Sequence, residues 1–412
     1  MDPQHTALIK QQIAEAYERQ GAPEGFPAMP DIPVSRYISD EFWQAEQQQL
    51  WPKTWLFAGH KDELPNIGSS KLWQDAGVPV VIVKDEQQRY RAFYNTCQHR
   101  AGPLVVEEYA EQQRLRCGYH GWTYNFDGDL IGVPDRRDFI DLDLECNKLL
   151  ELRCESWGGC LFVNRDPDAI SLDKFLMAVK PELEQFAFDQ LQLVDKHSID
   201  IAANWKACTD SFMETYHLRH IHPHTVDTIL DHKGTVISLL EQGHNKMYTP
   251  NRMGFIPPQA GFDDIPTVEE LPRMTNLAYS LFPNVVIPLD AGGFPILVFW
   301  PVDKANTRMD IWWFAPVTDA NKGKQVWRDQ QQYLSQQWLE KLAIFDVVLG
   351  EDVQFLPSQQ QSMETGAIQG MTLSYLERRI YHRHESIDQI IGSERIPEGM
   401  AVAPVLQNQI EA

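Results

Sequence analysis

The sequence predicts an α+β protein in two parts: a small β domain, then a larger domain mixing helices and strands. Three observations predict it. From residue 55 to about 165 the apolar runs are short and strand-like. Beyond 166, stretches with helical period alternate with further strand patterns. Two Cys/His clips, Cys97-Gln98-His99 and Cys117-Gly118-Tyr119-His120, fall in loops of the first part.

In chain order, residues 7–20 read as one helix, followed by a Gly/Pro-rich linker over 21–33. Ser39 is a good N-cap for a helix that places Phe42, Trp43 and Leu50 on one apolar side. Residues 78–83 form a continuous apolar strand, and 90–94 alternate. The run 124–130 reads as a hairpin with an Asp-Gly turn at Asp127-Gly128. Residues 161–163 close the β domain. Then 176–191 and 204–221 are helical in pattern, the second stopped by Pro223. Residues 284–289 and 296–300 are strands about a turn at 290–293, and 309–314 is another strand. Residues 326–355 read as a long helix, interrupted near Gly350. The segment 241–272 is rich in Pro and Gly and reads as a loop or lid.

The chain has 412 residues, room for two or three domains with substantial cores. Its net charge of −22 argues against nucleic acid, since phosphate binding needs a basic surface. The most apolar long stretch, 282–300, is broken by Pro283, Asp290, Gly292 and Gly293, so no membrane span is expected. Residues 1–12 lack the basic-then-apolar pattern of a secretory leader. With few cysteines, this points to a reducing cytoplasm.

Seventeen residues separate His99 from Cys117, giving C-x-H-x17-C-x-x-H. Two thiolates and two imidazoles in this order suit a [2Fe–2S] cluster of the Rieske type, in which one iron takes both sulfurs and the other both histidines. Structural zinc is the alternative, but zinc clips usually pair C-x2–4-C with a second such clip or with H-x3–5-H. The remaining cysteines, Cys146, Cys154, Cys160 and Cys208, form no second clip and read as ordinary thiols.

A second constellation lies at Asp210, Glu214, His217, His220, His222 and His224. On a helix Asp210, Glu214 and His217 share a face, as does His220. Spacing favours His217 with His220, or His220 with His224, while the break at Pro223 lets His222 swing back. A mononuclear Fe(II) held by two histidines and one carboxylate would leave positions open for O₂ and substrate. The carboxylate is expected from the apolar helix that carries Asp346, Glu351 and Asp352, and spacing does not choose between Asp346 and Asp352. A His-rich helix end without metal is the competing reading.

With both constellations present, the chain resembles the large (α) subunit of Rieske non-haem iron oxygenases, a family of ring-hydroxylating dioxygenases, monooxygenases and N-demethylases. The resemblance rests on Cys97-Gln98-His99-Arg100-Ala101-Gly102, Cys117-Gly118-Tyr119-His120-Gly121-Trp122, Asn204-Trp205-Lys206, and Asp210 to His222, with a third-ligand region at Asp352…Ser358-Gln359. It implies a Rieske domain over 40–165, inserted in a helix-grip catalytic domain made of 1–39 and 166–412 with an antiparallel sheet and long helices. It implies Cys97, His99, Cys117 and His120 as cluster ligands and His217, His222 and Asp352 as iron ligands. His220 and Asp346 then fall to helix surface and local pairing. Glu214 is implied to link His120 of one subunit to His217 of its neighbour, with Asp210 and Asn204 ordering the site. Gly118 stands where Pro is frequent, and Glu214 where many ring dioxygenases have Asp.

The implied reaction is O₂-dependent hydroxylation or N-demethylation of a small organic substrate, an aromatic or alicyclic acid or a betaine-like amine. No Gly-rich dinucleotide fingerprint is present, so NAD(P)H would be handled by a flavin-containing reductase, with or without a ferredoxin. A homotrimer is expected, with or without a small β subunit. Residues 241–272 and 284–300 are expected to line the pocket. Tyr248, Phe255, Tyr279, Phe282 and Phe299 are either core or a cage for a ring or quaternary ammonium. The rival function is a non-enzymatic Rieske electron carrier with a ligand-binding domain.

Overall fold

The computed structural model describes residues 3–75, 77–258, 262, 264–319 and 321–411. The chain divides into two compact units, Trp51–Phe175 and a second made of Met1–Leu50 with Leu176–Ala412. The division falls later at both ends than the expected 40–165. The helix Asp40–Ala45, capped by Ser39 Oγ on Phe42 N at 3.1 Å, leads into Glu46, whose carboxylate meets Lys206 of the larger unit. At the other end, Leu172 N donates to Glu155 of the smaller unit at 2.9 Å, holding the helix Leu172–Phe175 there.

The smaller unit contains β1 (Leu56–His60), β2 (Ser69–Trp73), β3 (Val80–Lys84), β4 (Tyr90–Tyr94), β5 (Tyr109–Glu111), β6 (Leu115–Arg116), β7 (Thr123–Tyr124), β8 (Leu130–Gly132), β9 (Glu151–Trp157) and β10 (Cys160–Asn164). Seven strands form one sheet in the order β1-β10-β9-β4-β3-β2-β5, and β6-β7-β8 form a second. The Asp-Gly hairpin is present: β7 pairs with β8, and Gly128 takes φ +84, a conformation that favours glycine. Val81, Val83, Phe93, Leu115, Trp122 and Tyr124 pack into one core that also includes Cys97 and Cys117.

In the larger unit, β11 (Leu191–Ile201), β12 (Val236–Leu240), β13 (Asn245–Pro250), β14 (Thr275–Leu281), β15 (Val285–Leu289), β16 (Phe294–Asp303), β17 (Asn306–Pro316) and β18 (Ile410–Glu411) form one sheet. Its order is β11-β17-β16-β15-β14-β13-β12-β18, antiparallel except for the β12–β18 edge. Its helices include α1 (Pro3–Glu18), α2 (Trp205–Asp210), α3 (Leu218–Ile221), α4 (Gln336–Val353), α5 (Leu356–Glu364) and α6 (Arg378–Ile391). Trp338, Leu342 and Leu349 of α4 pack with Leu297, Ile311 and Trp313 of the sheet. These α4 positions recur at helical spacing, so one stripe of the helix is buried. No described helix is long and apolar enough to cross a membrane.

Several expected elements differ. The helix expected over 204–221 is two, α2 and α3. The Glu214 carboxylate accepts from the backbone N–H groups of Tyr216 and His217, so a new turn starts there. Residues 176–191 are not one helix, because Ala187 takes φ +48 between short turns and β11 begins at Leu191. The loop expected over 241–272 contains β13 and the helix Glu270–Met274; residues 259–261 and 263 lie outside the described residues. Finally, α4 runs unbroken through Gly350, whose Cβ position is open space, so nothing there forces a kink.

Candidate functional site

In the smaller unit the two clips fold alike. Cys97 N donates to Gly102 O at 2.9 Å and Ala101 N to Cys97 O at 3.0 Å. The second clip repeats both bonds: Cys117 N to Trp122 O at 2.9 Å and Gly121 N to Cys117 O at 3.0 Å. Each turn needs a left-handed residue, supplied by Ala101 (φ +55) and Gly121 (φ +72). Both sulfurs are buried, while His99 and His120 are half-buried. The imidazoles meet with their Nδ1 atoms 3.1 Å apart, and His99 stacks on Trp122 with centroids 4.9 Å apart.

A Cβ on Gly102 would stand 2.8 Å from Cys117 Sγ, so glycine is what lets this sulfur lie there. Tyr124 OH lies 3.3 Å from Cys97 Sγ and accepts from Gln98 N at 3.1 Å. Burial pushes the Cys97 thiol pKa up, against the hydrogen bond from Tyr124. Two sulfurs set inward and two ring nitrogens set outward fit a [2Fe–2S] group ligated S,S on one iron and N,N on the other.

In the larger unit, His217, His222 and Asp352 each offer one ligand atom, all within 4.8 Å of one another. His217 stands at the N-cap of α3 and His222 at its C-cap, where φ −117 and ψ 41 turn the chain off the helix. Asp352 comes from the last turn of α4. His222 Nε2 lies 2.8 Å, and His217 Nε2 3.3 Å, from Asp352 Oδ1. The far nitrogen of each ring is held by another carboxylate: His217 Nδ1 by Glu214, and His222 Nδ1 by Glu351 at 2.7 Å.

This is the arrangement that fixes a metal-binding imidazole in one tautomer, Nδ1 protonated and Nε2 free to ligate. Burial pulls the His217 pKa down, but hydrogen bonds to Asp352 and Glu214 outweigh it and hold it at about 10. The carboxylates therefore create a field that favours a cation at the convergence point. Two histidines and one carboxylate on one side fit a divalent iron with open positions.

The other expected residues lie apart from this group. Asn204 caps α2: its side chain accepts from Lys206 N at 3.0 Å and donates to Lys304 O at 2.8 Å. Asp210 accepts from Tyr37 OH at 2.8 Å and from Arg383. Both residues organise the surroundings of α2, and the expected Asp210–Glu214–His217 face does not form, because α2 ends at Asp210. His220 is exposed beside Arg219, and Asp346 pairs with His197 at 3.1 Å. Of the aromatics singled out, Tyr248, Tyr279, Phe282 and Phe299 are core, and Phe255 is exposed.

By sequence Glu351 reads only as a candidate metal ligand, whereas in the structure it holds His222 Nδ1 from behind. Its place next to Asp352 in an apolar stretch was the signal that two carboxylates serve this site. Nothing in the sequence pointed to Tyr124.

A cavity of ≈ 770 Å³ is lined by His224 and Thr225, just after His222 in the chain, and by Val348, one turn before Asp352; His217, His222 and Asp352 themselves are not in its lining. The expected segments line it in part, through Ile256, Pro257, Pro258 and Phe262, and through Leu289 to Gly292.

Residues 188–393 match the ring hydroxylating alpha subunit (catalytic domain) family, and residues 54–148 match the Rieske [2Fe-2S] domain. The carnitine monooxygenase oxygenase subunit of Escherichia coli (strain K12) is 28% identical over 213 residues, 50% of this chain and 57% of that protein. The glycine betaine monooxygenase oxygenase subunit of Pseudomonas aeruginosa (strain UCBPP-PA14) is 28% identical over 200 residues, 48% of this chain and 46% of that one. The chain thus spans about half the length of these curated relatives. In fold it is similar to a quaternary ammonium Rieske monooxygenase in complex with L-carnitine, with TM-score 0.72, 21% identity, and 90% of this chain and 100% of that one covered. It is also similar to naphthalene 1,2-dioxygenase from Rhodococcus sp., with TM-score 0.70, 20% identity, and 95% and 98% covered.

Proposed function

The chain belongs to the ring-hydroxylating alpha-subunit family, and from that premise we propose that it is the terminal oxygenase component of a multicomponent system. The observation that carries this reading is the convergence of His217 Nε2 and His222 Nε2 on Asp352, with a carboxylate behind each ring.

In this reading Cys97 and Cys117 would hold one iron of a [2Fe–2S] cluster and His99 and His120 the other, while His217, His222 and Asp352 would hold a single Fe(II). An Fe(II) held there would supply activation of O₂ for a net reaction that puts one oxygen atom into a substrate C–H bond and releases the other as water, with two electrons and two protons consumed. Glu214 and Glu351 hold the proton on Nδ1 of His217 and His222, keeping Nε2 as the donor atom. Glu214 also links His217 to His120 of a neighbouring copy in a homotrimer, giving the electron a bonded route. Asp210 and Asn204 act by fixing α2. Electrons come from NAD(P)H through a flavin-containing reductase, directly or through a ferredoxin. The setting is the cytoplasm, where the six cysteines stay free of disulfides.

The substrate is a small organic molecule that is hydroxylated or N-demethylated. A non-enzymatic electron carrier would not need the second, carboxylate-backed histidine site. The test is His217→Ala, assayed with a surrogate reductase. Iron at the mononuclear site and all product should be lost, while the absorption and EPR spectra of the cluster persist. Surviving oxygenation would refute the assignment.

A further inference from the structure

The exposed flank of α4 carries a second stripe beside the buried one. Gln337, Lys341, Ile344 and Val348 line the cavity, and Asp352 continues the same spacing one turn later. Lys341 Nζ lies over three rings, 5.2 Å from the centroid of Phe262, 5.5 Å from Trp313 and 5.0 Å from Trp338. It donates to Gly293 O at 3.1 Å and to Asp290 Oδ1 at 3.4 Å. An aromatic box of the sort that binds ammonium ligands is therefore filled by the protein's own ammonium. A ligand's quaternary ammonium would have to displace it.

An ammonium has three donors, and two are used here. Asp290 is 62% exposed, and its Oδ1 also accepts from Gly292 N at 2.7 Å, so its hold on Lys341 is screened by solvent. The other cation on the wall, Arg273, is committed to Asp264 through two bonds of 2.9 and 2.8 Å and to the carbonyls of Val268 and Ile265. Lys341 is thus a cation facing the cavity with donor capacity left.

Lys341 and Asp352 are eleven positions apart on α4, a rise of about 16 Å. Ile344 and Val348 lie between them on α4, and the cavity lining adds the apolar Ile229 and Leu289 beside the polar Thr225, Thr228, Asn251, Asn276 and Glu340. A molecule that meets both ends is long, with an anion at one end and an apolar body on the order of 10 Å before the atom to be oxidised.

We propose that Lys341 anchors the carboxylate of an elongated amphipathic acid, a medium-chain or aryl-alkyl carboxylate, whose far end reaches the His217–His222–Asp352 group. The oxidation of that end rests on the oxygenase reading above; the anchoring does not. The test is calorimetric titration of the holoprotein with octanoate, octanamide and octyltrimethylammonium, repeated on Lys341→Met and Lys341→Arg. Octanoate should bind about 10-fold or more tighter than octanamide. Lys341→Met should abolish that preference and strengthen binding of octyltrimethylammonium, because the competing positive charge is removed. Lys341→Arg should keep the preference.

Equal affinity of the wild type for octanoate and octanamide, or no octanoate binding at all, would overturn the proposal, and neither result depends on a variant folding. Preference retained in Lys341→Met would overturn it as well. A parallel turnover assay with a surrogate reductase separates the two readings: carboxylate preference without oxygenated product keeps the anchor and overturns oxidation of the far end. Product formation without carboxylate preference would sink the anchor alone.

Discussion

Glu351 Oε2 sits 2.7 Å from His222 Nδ1 and 2.6 Å from Thr225 Oγ1, so one residue fixes the back of the ring whose front meets its own neighbour, Asp352. Glu351 and Asp352 are adjacent on α4, yet they bracket the same imidazole from opposite sides. The hydrogen bond from His222 draws the Glu351 pKa down, which keeps the carboxylate charged and the Nδ1 proton in place. Glu351→Gln retains the shape and loses the charge. It should weaken iron retention by about 10- to 100-fold while leaving the cluster untouched. Iron content after dialysis against a graded chelator, with the cluster spectrum as internal control, measures this. Unchanged iron affinity would remove Glu351 from the site.

Glu214 accepts from Tyr216 N and His217 N in the turn before α3 and orients His217; the proposed trimer would in addition set it against His120 of another copy. Glu214→Gln keeps an acceptor for the two backbone donors but carries no charge. Both metals should remain bound, and oxidation of the pre-reduced cluster in a single turnover should slow by about 10-fold or more. Stopped-flow absorbance of the cluster reads that step directly. Turnover at the wild-type rate with both metals present would end the bridging role.

Lys206, next to the Asn204 cap, has a different task. Its ammonium is fully buried with Glu46 at 2.7 Å and stands over the rings of Tyr37, Phe42 and Trp205 at 5.5, 5.3 and 5.4 Å. Burial pushes its pKa down to about 8 against the pull of Glu46. Lys206→Met strands the Glu46 carboxylate in an apolar site and should cost about 3–5 kcal/mol. The double variant with Glu46→Leu should recover much of that loss. Urea unfolding of the single and double variants tests the cycle. Additive losses would mean that the two charges do not act as a pair.

These residues also show what the sequence carried. The clips, the Ser39 cap, the Asp-Gly hairpin and the strands at 90–94 and 285–289 were legible because spacing and turn chemistry are local. What was lost depended on distant partners. β11 reads as LQLVDKHSIDI, too polar to suggest a buried strand, yet it pairs with β17 along its length. α6 reads as RRIYHRHESIDQII, a surface composition, but Arg379, Arg383, His384 and Glu385 are all buried. Arg379 is held by Asn245 at 2.5 Å and Arg383 by Asp210, partners more than a hundred residues away. At the candidate site, residue types were legible while the fold at 211–217 was not, because it turns on a side chain capping its own backbone.

Asp346 was a candidate iron ligand by sequence; in the structure it completes a different bridge. His197 Nδ1 lies 2.7 Å from Asp195 and Nε2 3.1 Å from Asp346, tying β11 to α4. Hydrogen bonds to Asp195 and Asp346 raise the His197 pKa to about 10, against a smaller opposing effect of burial. A pKa raised on folding means the pair's stabilisation is fully present below the unfolded value near 6.5 and is lost as pH rises through about 10. His197 keeps 32% of its side chain exposed, so solvent reduces the effect to on the order of 1 kcal/mol. Asp346→Asn should therefore lower stability at pH 6 to 8 and converge with the wild type near pH 10, with iron content unchanged. Urea unfolding at pH 6, 8 and 10 alongside metal analysis checks both halves. A stability difference independent of pH would deny the ion pair, and loss of iron would return Asp346 to the metal site.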